Sequence, residues 1–289
     1  MTDTPTASAS LTDATHLGRV ALRVESLDRV VPFYRDVVGL DVVREGTRAV
    51  LSAGNTSLIV LDEIPDAPAR KPEQAGLFHL AIRVPDRGAL GDALARIRDR
   101  ATLSGSSDHL VSEALYLRDP EGNGVEIYRD RPRAEWPKTG DGRVQMDTLP
   151  LDLDSVLADA RGDDRAHDCT DLGHVHLEVT DLSEALDFYV DALGMSLRDD
   201  GYPNAAFVAA GTYHHHVGLN RWNDRREPTG DSRGIEWFEV LVPDAETLDS
   251  VRESLTARGW NVEQMERGVA VSDPDGIEVR VRTDPSAAP

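Results

Sequence analysis

The sequence predicts an α+β protein made of four copies of one βαβββ module, and three observations carry that expectation. First, LGRVALRVESLDRVVPFYRDVVGLDVV from Leu17 and LGHVHLEVTDLSEALDFYVDALGMSLR from Leu172 share a frame. The frame is LGxVxLxV, a polar turn, an amphipathic helix containing Phe-Tyr, and a glycine that opens a new strand. Second, FHLAIRVPDRGALGDALARIRDR from Phe78 and WFEVLVPDAETLDSVRESLTARG from Trp237 open in the same way. Third, copies two and four close with LRDPEGNGVEIY and VSDPDGIEVRV, where Asp-Pro followed by Gly marks a turn into a last strand.

Each element follows from its local pattern. Alternation in the opening strands places Val20, Leu22 and Val24 on one face, with Leu80, Ile82 and Val84, then Val175, Leu177 and Val179, at matching places. Those faces should pack on the helix that follows. The opposite faces carry Arg19, Ala21 and Arg23 in copy one, His79, Ala81 and Arg83 in copy two, and His174, His176 and Glu178 in copy three. We expect that face to be concave and solvent-accessible. The helices show apolar residues at helical spacing, as in Ala185, Leu186, Tyr189 and Leu193, and stop at glycines such as Gly39 and Gly194.

The chain has 289 residues, enough for two domains. Copies one and two are expected to occupy 15–130 and copies three and four 171–284. Residues 1–14 read as a flexible tail. Residues 131–170, rich in Pro, Gly and Asp around the helical stretch LDLDSVLADA, read as a linker.

Fifty-two acidic residues against 31 basic ones give a net charge of −21, and Lys71 and Lys138 are the lysines. Such a surface repels nucleic acid and anionic lipid, so neither is an expected partner. It suits a solvated acidic shell in a salt-rich cytoplasm. No apolar run approaches the roughly 20 residues that a bilayer needs. Cys169 is a single cysteine, so an internal disulfide and a cysteine-based zinc cluster are both excluded. The N-terminal stretch has neither the basic nor the apolar region of a secretory signal, and a cytoplasmic protein is expected.

Comparison of the four copies locates the chemistry. His79 opens a strand in copy two, His174 takes the same place in copy three, and Glu126 lies on the last strand of copy two. Arg19 and Trp237 occupy the first-strand place in copies one and four, and Arg280 replaces the glutamate. Two histidines and a carboxylate bind Fe(II) on one side and leave the other side open. His176 shares a strand face with His174 and is the alternative ligand.

With these residues in view, the modules resemble those of the vicinal oxygen chelate superfamily, which implies two glyoxalase/bleomycin-resistance-like domains. The resemblance covers the chain beyond its first 14 residues. YLRDPEGNGVE is similar to the extradiol ring-cleaving dioxygenases, in particular the two-domain bacterial catechol 2,3-dioxygenase type, which carries a Tyr ten residues before the ligand Glu. Tyr116 and Glu126 reproduce that spacing. His109 in SDHLVSEALY matches another active-site His, about two residues closer to the Tyr than in the best-known members. In YHHHVGL, His215 matches the distal acid/base His. Strand alternation alone would set His215 with Val217 and Leu219, and His214 and His216 on the other face, without choosing among them.

The resemblance therefore implies an Fe(II) enzyme, with Mn(II) as the alternative metal, that cleaves small aromatic diols with dioxygen. It also implies a role in aromatic hydrocarbon catabolism. Its metal ligands would be His79, His174 and Glu126, and its catalytic residues His215, Tyr116 and His109. Three rival readings exist: a hydroquinone-cleaving dioxygenase, a glyoxalase-like metal-dependent isomerase, and a non-catalytic bleomycin-resistance-like binding protein. The isomerase lacks its second Glu here. In common family members the site lies in the last two modules, whereas here it falls in modules two and three. Whether those two pair within one chain or across a homo-oligomer is open at this stage.

Overall fold

The computed structural model describes residues 9–140 and 143–284. Four modules follow one another. The first has β1 (His16–Val24), α1 (Leu27–Pro32) continued by a π-helical segment Phe33–Val38, then β2 (Asp41–Glu45), β3 (Arg48–Ala53) and β4 (Thr56–Glu63). The second has β5 (Gly76–Arg83), α2 (Arg87–Arg100), β6 (Gly105–Asp108), β7 (Ser112–Arg118) and β8 (Gly124–Asp130). A connecting segment containing α3 (Leu153–Ala158) leads to the third module. That module has β9 (Asp171–Glu178), α4 (Leu182–Leu186) continued by π-helical Asp187–Ala192, and β10 (Ser196–Asp199), β11 (Ala205–Ala209) and β12 (Val217–Asn220). The fourth has β13 (Gly234–Val242), α5 (Ala245–Ala257), β14 (Glu263–Met265), β15 (Gly268–Ser272) and β16 (Glu278–Thr283).

Local chemistry explains these boundaries. Aspartates cap α2, α4 and α5: the Asp86, Asp181 and Asp244 side chains accept hydrogen bonds from backbone N–H groups of the first turn. Both π-helical segments run into a glycine with left-handed backbone, Gly39 at φ 92° and Gly194 at φ 93°.

The strands form two eight-stranded curled sheets, ordered β14-β15-β16-β13-β1-β4-β3-β2 and β10-β11-β12-β9-β5-β8-β7-β6. Each sheet therefore takes one module from each half of the chain: modules 1 and 4 build one, modules 2 and 3 the other. The seam of each is an antiparallel pairing of two opening strands, β1 with β13 and β5 with β9. Parallel pairing then sets each module's last strand beside its first. Modules 2 and 3 meet within a single chain.

The two modules of each sequence half are held together by their helical segments. The Tyr34 hydroxyl donates to the Asp119 carboxylate of module 2 (3.2 Å), and the Tyr189 hydroxyl donates to Asp273 of module 4 (2.8 Å). In both cases the tyrosine of the Phe-Tyr motif reaches the aspartate of an Asp-Pro turn. One continuous apolar core includes Val20, Leu80, Val175 and Phe238, and so draws on all four modules. Burying each such side chain contributes about 1.5–3 kcal/mol.

Three expectations need correction. Residues 9–14 do not behave as a free tail: Ala9 and Leu11 are buried, and the Leu11 backbone exchanges hydrogen bonds with Gly194 and Gly211. Residues 1–8 lie outside the described residues. The concave face is not solvent-accessible at the candidate ligands: His79, Glu126, His174 and His176 are all under 8% exposed. The connecting segment does more than link, because Trp136 and Val144 pack with Val111, Ala209 and Tyr213, and Met146 and Thr148 form part of the cavity wall. Curling of the sheet, together with this cover, turns an open face into an enclosed one. No helix among the described residues is long and apolar enough to cross a membrane.

Candidate metal centre and active site

The β5–β9 seam sets His79 opposite His176 and Ala81 opposite His174, and parallel pairing sets Glu126 of β8 beside Ala81. The consequence is convergence. His79 Nε2 lies 2.9 Å from Glu126 Oε2, His174 Nε2 lies 3.2 Å from the same oxygen, and the two ring nitrogens are 3.3 Å apart. Among the described residues these three offer ligand atoms all within 4.8 Å of one another. His176, the alternative ligand, stands outside that triplet. Its ring is edge-on to His79 at 5.0 Å, beside Phe78, Phe207 and Trp222.

The donor set fits a divalent cation. Burial pushes the Glu126 carboxyl upward, yet His174 and His79 beside it hold it well below the usual carboxylate range. Burial lowers His174 to about 4, so its imidazole is neutral at physiological pH, as a ligand must be. Two imidazoles and one carboxylate bring their donor atoms to a common point from one side.

Above that point lies a cavity of about 390 Å³, room for a single aromatic ring and its substituents. Phe78, Phe207, Trp222, Val111, Leu117 and Met146 supply its apolar wall. Tyr116, His109 and His215 line the same cavity.

Tyr116 pairs with Glu126 across β7 and β8, which explains why a ten-residue spacing places the two side by side. Burial, with the Glu126 charge next to it, holds the Tyr116 phenol well above its ordinary value, so it stays protonated. His109 sits in the β6–β7 turn, and Leu110 after it takes a left-handed φ of 68°, secured by the Asp108 carboxylate accepting from its N–H. His109 Nδ1 lies 2.7 Å from the Asp147 carbonyl, which can only accept, so Nδ1 carries the proton. His109 Nε2 is then an acceptor, and the Tyr116 hydroxyl at 2.7 Å donates to it. The tyrosine oxygen is left free to accept a hydrogen bond from a ligand in the cavity.

The three successive histidines point to three different surroundings. They precede β12, which begins at Val217, so strand alternation does not govern them. His214 turns inward to Asp130, with Nε2 2.9 Å from Oδ1. His216 Nδ1 accepts from the Ala210 backbone N–H at 3.1 Å. His215 borders the cavity, its ring centroid 4.2 Å from that of His174.

Sequence reasoning overlooked several residues of this region. Asp130 lies four residues after Glu126 on β8, hence on the same strand face, and alternation alone could have found it. Gly173 carries a packing demand that its sequence context hides: a Cβ there would lie 1.8 Å from the Tyr128 hydroxyl, whose ring packs 4.9 Å from His174. Met146, Thr148 and Asp147 come from the connecting segment, where no sequence periodicity marks them.

The chain matches the family model described as Glyoxalase/Bleomycin resistance protein/Dioxygenase superfamily over residues 16–127 and 171–281. It is 41% identical over 275 residues to a catechol-2,3-dioxygenase of Bacillus subtilis (strain 168), spanning 92% of this chain and 96% of that protein. A biphenyl-2,3-diol 1,2-dioxygenase 3 of Rhodococcus globerulus is 30% identical over 125 residues, 42% of this chain and 66% of that protein. Among solved structures, a putative dioxygenase from Bacillus subtilis subsp. subtilis str. 168 superposes with a TM-score of 0.62 at 15% identity, covering 96% of this chain and 87% of that one. That last likeness concerns the fold alone. Two domains with curled eight-stranded sheets, the family match and the near full-length relative together lead to one conclusion: the chain belongs to the glyoxalase/bleomycin resistance protein/dioxygenase superfamily, as a member of its extradiol ring-cleaving dioxygenases.

Proposed function

We propose that the protein binds Fe(II) through His79, His174 and Glu126 and uses dioxygen to open the ring of catechol-type substrates beside the diol. Mn(II) meets the same donor set. The observation that carries the reading is the convergence of the three ligand atoms within 4.8 Å at the base of an apolar-walled cavity. Three candidate proton-handling side chains, His215, Tyr116 and His109, line that cavity.

When bound, the metal supplies Lewis acidity that lowers the hydroxyl pKa of the diol and a redox route between ring and dioxygen. The chain's own residues do the rest. Tyr116, donating to His109, offers its oxygen to a substrate hydroxyl and fixes which way the ring lies. His215 takes a proton from the substrate and returns it as the ring opens, a role worth about 10²–10⁴ in rate. Phe78, Phe207 and Trp222 hold the ring and exclude water from it.

The test is anaerobic reconstitution of the full chain with Fe(II), addition of catechol, and admission of air. A yellow ring-opened product is expected. Fully bound Fe(II) with no product from any catechol would overturn the reading.

A further inference from the structure

We infer that Asp130 and His214 form a hydrogen-bonded relay that fixes the tautomer and orientation of His215, and so act as positioning residues for the reaction proposed above. The inference rests on that reading for its kinetic consequence, whereas the tautomer itself can be tested without any turnover.

Asp130 is the last residue of β8, the strand that carries Glu126. Its Oδ2 accepts from the Tyr213 hydroxyl at 2.9 Å and from Arg83 Nη1 at 3.1 Å. Because the Tyr213 proton is committed to Asp130, the Tyr128 hydroxyl donates to the Tyr213 oxygen at 2.8 Å. Arg83 is anchored in turn by Asp171, at 2.6 and 2.9 Å. The carboxylate is therefore locked in place, and Oδ1 remains for His214.

A carboxylate only accepts, so His214 Nε2, 2.9 Å from Oδ1, must carry a proton. A His214 ring that carries this single proton has its lone pair on Nδ1. His215 Nδ1 lies 2.8 Å from that atom, a distance that demands one donor and one acceptor. With His214 Nδ1 the acceptor, His215 Nδ1 is the donor. The other ring nitrogen of His215, Nε2, is left with a lone pair and is ready to receive a proton.

The surroundings reinforce this order. The His214 side chain is 1% exposed, so no solvent competes for its nitrogens. Although burial pushes Asp130 upward, His214, Arg83 and Tyr213 hold its carboxyl at about 2, so it remains an acceptor across the working range. When His215 gains a proton, its bond to His214 becomes charge-assisted, with the Asp130 carboxylate behind it. This is the logic by which a buried aspartate sets the tautomer of a catalytic histidine in hydrolytic triads, assembled here from different residues.

The experiment has two arms. In the first, ¹⁵N-histidine NMR of the metal-free full chain reads the protonated nitrogen of each ring. We expect His214 protonated at Nε2 and His215 at Nδ1, and His215 protonated at Nε2 in the unaltered protein would overturn the proposal. In the second, Asp130→Asn, His214→Phe and the double variant are loaded with Fe(II) and assayed with catechol. We expect kcat to fall about 100-fold in each single variant with KM and iron content unchanged. The double variant should be no slower than His214→Phe, and Asp130→Glu should recover part of the rate. Losses that multiply in the double variant, or Asp130→Asn retaining kcat within twofold, would also overturn it. A wild type that shows the expected tautomers but cleaves no catechol would count against the proposed function and leave the relay standing.

Discussion

The two sheets of this protein share a module and a topology, yet among the described residues only the sheet built from modules 2 and 3 brings candidate ligands together. In that sheet Ala81 pairs with Glu126, and His79 and His174 stand on the neighbouring strands. In the other sheet the matching register pairs Glu239 with Arg280, and Trp237 and Arg19 take the histidine places. There the Arg280 guanidinium lies 3.9 Å from the Trp237 ring centroid, and Arg19 is held by Glu239 at 2.7 Å. Long side chains stacked and paired with each other occupy the place where the first sheet keeps a cavity. The difference teaches that the module supplies a scaffold with three aimed positions, and that the residues at those positions decide between a candidate ion site and a packed, self-satisfied face.

The largest expected effect breaks the first sheet's site outright. Glu126→Ala removes the only anionic ligand and should abolish iron binding and with it all detectable turnover. Metal analysis of the purified variant checks this, and full iron would remove Glu126 from the ligand set. Next in size, His215→Gln should keep iron stoichiometry and lower kcat by about 10²–10⁴, in line with loss of a general acid–base group. Unchanged turnover would rule His215 out. Tyr116→Phe deletes one hydrogen bond to the substrate and to His109. A loss of about tenfold in kcat/KM with iron retained is expected, since such a bond is worth about 1–1.5 kcal/mol.

A last effect bears on stability and not on turnover, and concerns a place where the two halves of the chain are alike, the paired Tyr34–Asp119 and Tyr189–Asp273 contacts. Burial raises Asp273 to about 7. A carboxyl raised in the folded state binds its proton more tightly there than in the unfolded chain, so the stability this group contributes is fully present below about pH 4 and is lost as pH rises through about 7. Asp273→Asn should flatten that slope, by an amount on the order of a few kcal/mol between the two ends. Thermal melts of both proteins from pH 4 to 8 measure it. Parallel curves would show that Asp273 does not titrate in this window.

Much of this arrangement was legible in the residues. The four module starts, the apolar faces of the opening strands, and the triplet His79, Glu126 and His174 all follow from comparing copies, because alternation is a local rule that survives folding. Tyr116 was reached through the family resemblance, and the tight turn between two strands explains why its ten-residue spacing becomes direct pairing with Glu126. What escaped depends on long-range geometry. Nothing local says that β5 pairs with β9 and not with β1, so the crossing of the sequence halves between the sheets was hidden. Met146 and Thr148 line the cavity, and the Asp147 carbonyl holds His109, from an irregular segment with no periodicity to read. His214, His215 and His216 precede their strand, and their three directions are set by Asp130, the cavity and the Ala210 backbone, partners far apart in sequence or outside any strand rule.

The central claim is that one chain forms one metal site, in the sheet of modules 2 and 3, and none in the sheet of modules 1 and 4. Anaerobic Fe(II) titration of the purified chain, beside Glu126→Ala and Arg280→Ala, tests it most directly. One iron per chain, lost in Glu126→Ala and retained in Arg280→Ala, is the expected result. Two irons per chain, or binding that survives Glu126→Ala, would contradict it.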